Sequence, residues 1–143
     1  MRLALDEAED AAEAGEVPVG AVIVRAGEVV ARAGNASVSS ADATAHAELL
    51  AIQAASAVLG DQRLTDCTLF VTMEPCAMCA GAIVLSRIDR VVFGAWDEKA
   101  GMAGSVGDLL RNPKLNHRPE VKGGVMEAEC GELLSGFFRG KRS

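Results

Sequence analysis

The 143-residue chain predicts a three-layer α/β/α domain around a mixed sheet of about five strands. Three observations carry this. Short β-branched runs, Ala21–Val24, Thr68–Met73 and Arg90–Ala95, alternate with longer stretches of helical apolar spacing. The run from Thr68 to Ala95 reads strand, short helix, strand, the spacing of a parallel βαβ crossover. Half of the residues are apolar, enough to build one core in one domain over residues 1–143.

Residues 1–14 read as an amphipathic helix with Leu3, Leu5 and several alanines on its apolar side, ended by Gly15. Val17-Pro18-Val19-Gly20 leads into the strand Ala21–Val24, and Ala26-Gly27-Glu28 turns the chain back into Val29–Ala33 as a hairpin. A polar loop from Gly34 to Ala43 holds Asn35 and Asp42. Thr44 is expected to cap a helix from Ala45 to Leu59. Leu49, Leu50, Ile52 and Val58 would face the core, and His46 and Glu48 would lie in the first turn. The strand Thr68–Met73 is followed by a helix over Ala77–Ser86 and the strand Arg90–Ala95. Trp96–Gly107 is a Gly-rich loop, long for a mere connection. Asp108–Arg111 predicts one helical turn, Val121–Met126 a short edge strand and Glu127–Arg139 a closing helix.

Composition narrows the function. No apolar run approaches membrane-spanning length and no signal peptide is read, so a cytoplasmic protein with no membrane partner is expected. Four cysteines do not suggest a disulfide framework. The net charge of −6 argues against a nucleic-acid partner. Its distribution weakens that argument: residues 1–16 carry six acids against Arg2, and the rest of the chain is close to neutral. The acidic run reads as a solvated helix face.

Chemistry concentrates in Thr44-Ala45-His46-Ala47-Glu48 and Glu74-Pro75-Cys76-Ala77-Met78-Cys79. A catalytic zinc takes three protein ligands and keeps one position for water. His46, Cys76 and Cys79 supply three ligands, and the two thiolates balance the charge of the ion. A helix start lowers thiol pKa and so favours the metal-binding form. Glu48 is then the general acid/base, taking a proton from the attacking water and delivering it to the ring and the leaving amine. Cys-x-x-Cys alone is weak, because redox and zinc-ribbon motifs share it. A closed zinc site would need Cys67, Cys130 or His117 as a fourth ligand, and none stands at a knuckle-like spacing. The full combination is the known signature of the zinc nucleobase deaminases, so it is matched here and not discovered.

With those segments the chain resembles the bacterial tRNA-specific adenosine deaminases of the TadA type, a branch of the cytidine-deaminase-like superfamily, over nearly its whole length. Further matching segments are Glu16–Val22, Ala80-Gly81-Ala82, Ser86-Arg87-Ile88, Val91–Ala95, Ala103-Gly104-Ser105, Asn116-His117-Arg118 and Phe137-Phe138-Arg139. The resemblance implies a cytidine-deaminase-like fold, one Zn2+ per subunit and a homodimer. It implies conversion of the wobble adenosine of a tRNA anticodon stem-loop, in an arginine tRNA, to inosine. It also implies that Asn35 contacts the flipped nucleoside and that Val17 and Pro18 line the base pocket. Asp97, Phe138 and Arg139 would hold neighbouring nucleotides. Trp96 departs from the pattern, standing where family members often carry a basic residue.

Two other readings remain open at this level. A free-base or nucleoside deaminase of guanine or cytosine type would use the same zinc and the same Glu48, and the acidic pI of about 4.9 favours it. The Phe-Phe-Arg ending and the group Lys114, Arg118, Lys141 and Arg142 favour RNA. A non-catalytic zinc module would be expected to lack the proton carrier, and Glu48 is present.

Overall fold

The computed structural model describes residues 1–142, with side chains through Gly140. The side chains of Lys141 and Arg142, and Ser143, lie outside the described residues, so their expected place in a basic group does too. The elements run α1 (Arg2–Glu13), β1 (Gly20–Arg25), β2 (Glu28–Gly34), α2 (Ala47–Leu59), β3 (Cys67–Met73), α3 (Ala77–Leu85), β4 (Arg90–Ala95), β5 (Glu120–Lys122) and α4 (Glu127–Arg142).

The sheet order is β2-β1-β3-β4-β5. β1 pairs antiparallel with β2 and β3, while β3–β4 and β4–β5 are parallel. The β1–β2 hairpin closes through Ala26 and Gly27, both at positive φ (51° and 78°), a two-residue turn whose twist matches the strands. α1 and α4 pack together on one side of the sheet, and α2 and α3 on the other. The fold is therefore the three-layer α/β/α architecture expected, with the mixed five-stranded sheet between helices.

β1 and β4 are buried along most of their length, as strands between two helical layers must be. α2 meets the sheet through small residues, Ala47, Ala51 and Ala55, with Ile52 beside them. This corrects the expected core face. Val58 is 68 % exposed, and Leu59 instead packs against the core. On α1 the buried residues are Ala4, Leu5, Ala8 and Ala11, whereas Leu3 lies outside.

Three local expectations differ from the structure. Thr44 does not cap α2. Its N–H and hydroxyl both donate to Asp42 Oδ1 (2.9 and 2.7 Å), which holds residues 42–44 in a turn and moves the helix start to His46. Asp108–Arg111 is no helical turn: Asp108 bridges Ala103, and its carboxylate accepts the Arg111 N–H and guanidinium. The edge strand stops at Lys122: Gly123 lies against the Phe93 ring, where a Cβ would come within 2.3 Å, and the chain turns at Gly124, which is at positive φ (81°).

Candidate active site

The site forms where two helices begin behind the sheet. His46 is the N-cap of α2 and Cys76 the N-cap of α3, both with extended backbone (φ −80°, ψ 149°; φ −76°, ψ 178°). Cys79 is the third residue of α3. N-cap and N3 side chains converge on the open end of a helix, so Cys-x-x-Cys at these positions places both sulfurs there. His46 Nδ1 lies 3.6 Å from Cys76 Sγ and 3.7 Å from Cys79 Sγ.

These distances fit a metal. Ligand atoms held about 2.0–2.3 Å from one zinc ion in tetrahedral geometry stand roughly 3.5–3.8 Å apart. The three ligand atoms all lie within 4.8 Å of one another, and among the described residues no other cluster of this kind occurs. Cys67 and Cys130 are buried in the core, and His117 Nε2 is 2.6 Å from the Ile88 carbonyl oxygen, so none of them joins the triad.

Electrostatics separate the two sulfurs. The Cys76 thiol is lowered to about 5, chiefly by the hydrogen bond from Cys79, with burial opposing and His46 assisting. The Cys79 thiol is raised by that same hydrogen bond and by burial. Glu48, in the first turn of α2, is only 4 % exposed, and burial pushes its carboxyl up to about 7.

Beside the triad opens a cavity of about 210 Å³. His46, Cys76, Glu48, Asn35, Val17 and Asp97 all reach it, although they come from five separate stretches of chain. Pro18 does not line it. The Val19 N–H donates to the Val17 carbonyl (2.8 Å), a tight turn centred on Pro18 that leaves Val17 and Val19 on the wall and Pro18 buried away from it. The Asn35 N–H donates to the Val19 carbonyl (3.0 Å), and its side-chain amide donates to Ser37 Oγ (3.4 Å).

Phe138 and Arg139 lie elsewhere. With Lys99 and Leu134 they border a separate cleft of about 350 Å³ on α4. Phe138 is 44 % exposed and meets half-buried Phe137 edge to face at 5.5 Å. Arg118 is engaged with its own loop, donating to the Pro113 and Leu115 carbonyls.

Sequence reasoning missed Val19, Ser37 and Met73 on the cavity, and two buried carboxylates that hold the loops bordering it. Glu16 accepts the N–H groups of Val38 (3.0 Å) and Ser39 (2.7 Å). Glu74 accepts the N–H groups of Asp97 (2.9 Å), Ala103 (3.0 Å) and Ser105 (3.0 Å), and the Ser105 hydroxyl. Burial by itself would raise the Glu74 carboxyl, but these hydrogen bonds outweigh it and hold the group below its ordinary value. Nothing in the sequence marks an acid that folds inward onto backbone amides.

Residues 1–142 match the sequence model of the MafB19-like deaminase family. A tRNA-specific adenosine deaminase of Bacillus subtilis is 52 % identical over 139 residues, 97 % of this chain and 86 % of the relative. One from Aquifex aeolicus is 48 % identical over 143 residues, 100 % of this chain and 94 % of the relative. Among solved structures, one from work on A-to-I editing by tRNA:A34 deaminases at the wobble position of transfer RNA superposes with a TM-score of 0.88 at 45 % identity, covering 94 % of this chain and 97 % of the other. A guanine deaminase from Bacillus subtilis superposes with a TM-score of 0.66 at 34 % identity, covering 99 % and 91 %.

Fold and site together define a deaminase of the cytidine-deaminase-like class, an enzyme with an inward-facing His/Cys/Cys group beside a buried glutamate. Within that class, the chain belongs to the family of tRNA-specific adenosine deaminases.

Proposed function

We propose that this chain, as one zinc-dependent deaminase domain, hydrolyses adenosine to inosine at the wobble position of a tRNA anticodon loop, with an arginine tRNA as substrate. The observation that carries the reading is the placement of Glu48 beside the His46/Cys76/Cys79 group at a cavity sized for one base. At about 210 Å³ it is smaller than sites that enclose whole drug-sized molecules, roughly 300–1,000 Å³. A target base would leave the strand to enter, and anticodon-loop bases are already unpaired, which keeps that cost small.

His46, Cys76 and Cys79 hold one Zn2+. Zinc bound there activates water at neutral pH. Glu48 takes a proton from the water that attacks C6 of the purine and returns it to the ring; a second proton leaves with the amine as ammonia. Burial raises this carboxyl above its ordinary value, which suits it to hold the proton between the two transfers. Asn35 offers donor and acceptor to the nucleoside, and Val17 and Val19 flank the base. Asp97 lines the cavity, and the separate cleft with Lys99, Phe138 and Arg139 takes flanking nucleotides. A homodimer in the cytoplasm completes the reading.

A second reading, a free-base deaminase, has in its favour the 34 % identity to a guanine deaminase and the acidic pI of about 4.9. Both are tested by incubating the zinc-loaded protein with an anticodon stem-loop bearing a wobble adenosine, beside free adenosine, cytidine and guanine. Inosine in the RNA alone is expected. Turnover of a free base or nucleoside alone would overturn the RNA substrate while leaving the zinc chemistry intact.

A further inference from the structure

Glu74 sits between the end of β3 and the metal-ligating segment, and the residue is 2 % exposed. Each oxygen takes two donors. Oε1 accepts the Asp97 N–H and the Ser105 hydroxyl; Oε2 accepts the Ala103 and Ser105 N–H groups. All four donors belong to the loop that follows β4. That loop closes around the carboxylate at Gly101, where a Cβ would come within 2.3 Å of the Glu74 side chain. The Met102 N–H adds a bond to the Pro75 carbonyl (2.8 Å). The loop is thus tied to Glu74-Pro75 immediately before Cys76, and its first anchored residue, Asp97, lies on the cavity wall.

We propose that Glu74 is a positioning residue, whose buried carboxylate sets the place of Asp97 against the cavity and so the seat of the base undergoing deamination. The inference rests on the functional reading above. It predicts an asymmetric defect in Glu74→Gln, a near-isostere. With its NH2 at the Oε2 position, glutamine would confront two backbone N–H groups that cannot reverse. At the Oε1 position, the Ser105 hydroxyl can turn and accept. The amide therefore takes the second orientation, and the Asp97 N–H alone loses its acceptor.

The test is a double-mutant cycle on stem-loop deamination. Glu74→Gln and Asp97→Ala are each expected to lower kcat/KM about tenfold, with bound zinc unchanged, and the double variant to fall no further. Additive losses, about a hundredfold in the double variant, would overturn the proposal, as would full activity in Glu74→Gln. Amide hydrogen exchange gives a readout that does not depend on activity. In Glu74→Gln the Asp97 amide should exchange at least roughly tenfold faster, while the amides of Leu69 and Val71 in β3 stay as in the parent protein. Unchanged exchange at Asp97, or equal acceleration in β3, would overturn it. If Glu74→Gln does not fold, Ser105→Ala serves: it removes one of the four anchors while leaving the Asp97 acceptor in place, so a loss in kcat/KM of about threefold and exchange at Asp97 about threefold faster are expected, with Leu69 and Val71 unchanged. A parent protein inactive on RNA would reject the functional reading, while the exchange experiment would still decide the role of Glu74.

Discussion

His46 Nδ1 and Cys76 Sγ stand 3.6 Å apart, and each residue is the N-cap of its own helix. Two helix starts thus point at one spot, and a metal placed there meets ligands that are already gathered. Loss of either ligand should abolish stoichiometric zinc binding. His46→Ala and Cys76→Ser are expected to retain less than about a tenth of the parent zinc content after dialysis, measured by atomic emission.

Metal uptake should release a proton. Near pH 7 the Cys76 sulfur, lowered to about 5, is already thiolate, while Cys79 keeps its proton. Zinc requires both as thiolates. Titration of the metal-free protein at pH 8, where Glu48 has also lost its proton, in buffers of different ionisation enthalpy should therefore show about one proton released per zinc bound.

Glu48 should weaken the metal-free fold above neutrality. Its folded pKa, about 7, lies above the ordinary carboxyl value of 4.5. The folded state therefore favours the protonated form. No penalty exists below about pH 4.5; it grows as pH rises and is complete above about pH 7, at an order of 3 kcal/mol. Metal-free Glu48→Gln should match the parent protein near pH 4.5 and exceed its unfolding free energy at pH 8. With zinc restored, Glu48→Gln and Glu48→Ala should bind metal and lack turnover.

Glu16 holds the loop opposite the one Glu74 holds. Glu16→Gln leaves at least one of the Val38 and Ser39 amides facing an amide nitrogen. Unfolding by urea should show a loss of about 1–3 kcal/mol.

Phe138 should act on binding alone. It lies with Lys99 and Arg139 in the cleft on α4, not on the cavity that holds Glu48. Phe138→Ala is expected to raise KM for the stem-loop about tenfold, with kcat within about twofold and zinc content unchanged, in steady-state kinetics.

The elements and the metal group were legible in the chain because their signals are local. β-branched runs marked β1, β3 and β4, and Cys-x-x-Cys after Pro75 marked a helix start with two sulfurs on one end. The same local signals misled where a neighbour competed. Asp42 captured Thr44, and Asp108 held Arg111, so a predicted cap and a predicted helical turn did not form.

By itself, the sequence determined the order of strands and helices and the ligand types. Spacing along the chain controls period, capping and which short-range side chains converge. Only the tertiary structure decided that His46 meets Cys76, 30 positions away in numbering, that Val19 replaces Pro18 on the cavity wall, and that Phe138 borders a different cleft. It also decided that Glu16 and Glu74 turn inward to gather loop amides. A carboxylate is placed by where its donors end up, and those donors are brought to it by the packing of the sheet and its two helical layers.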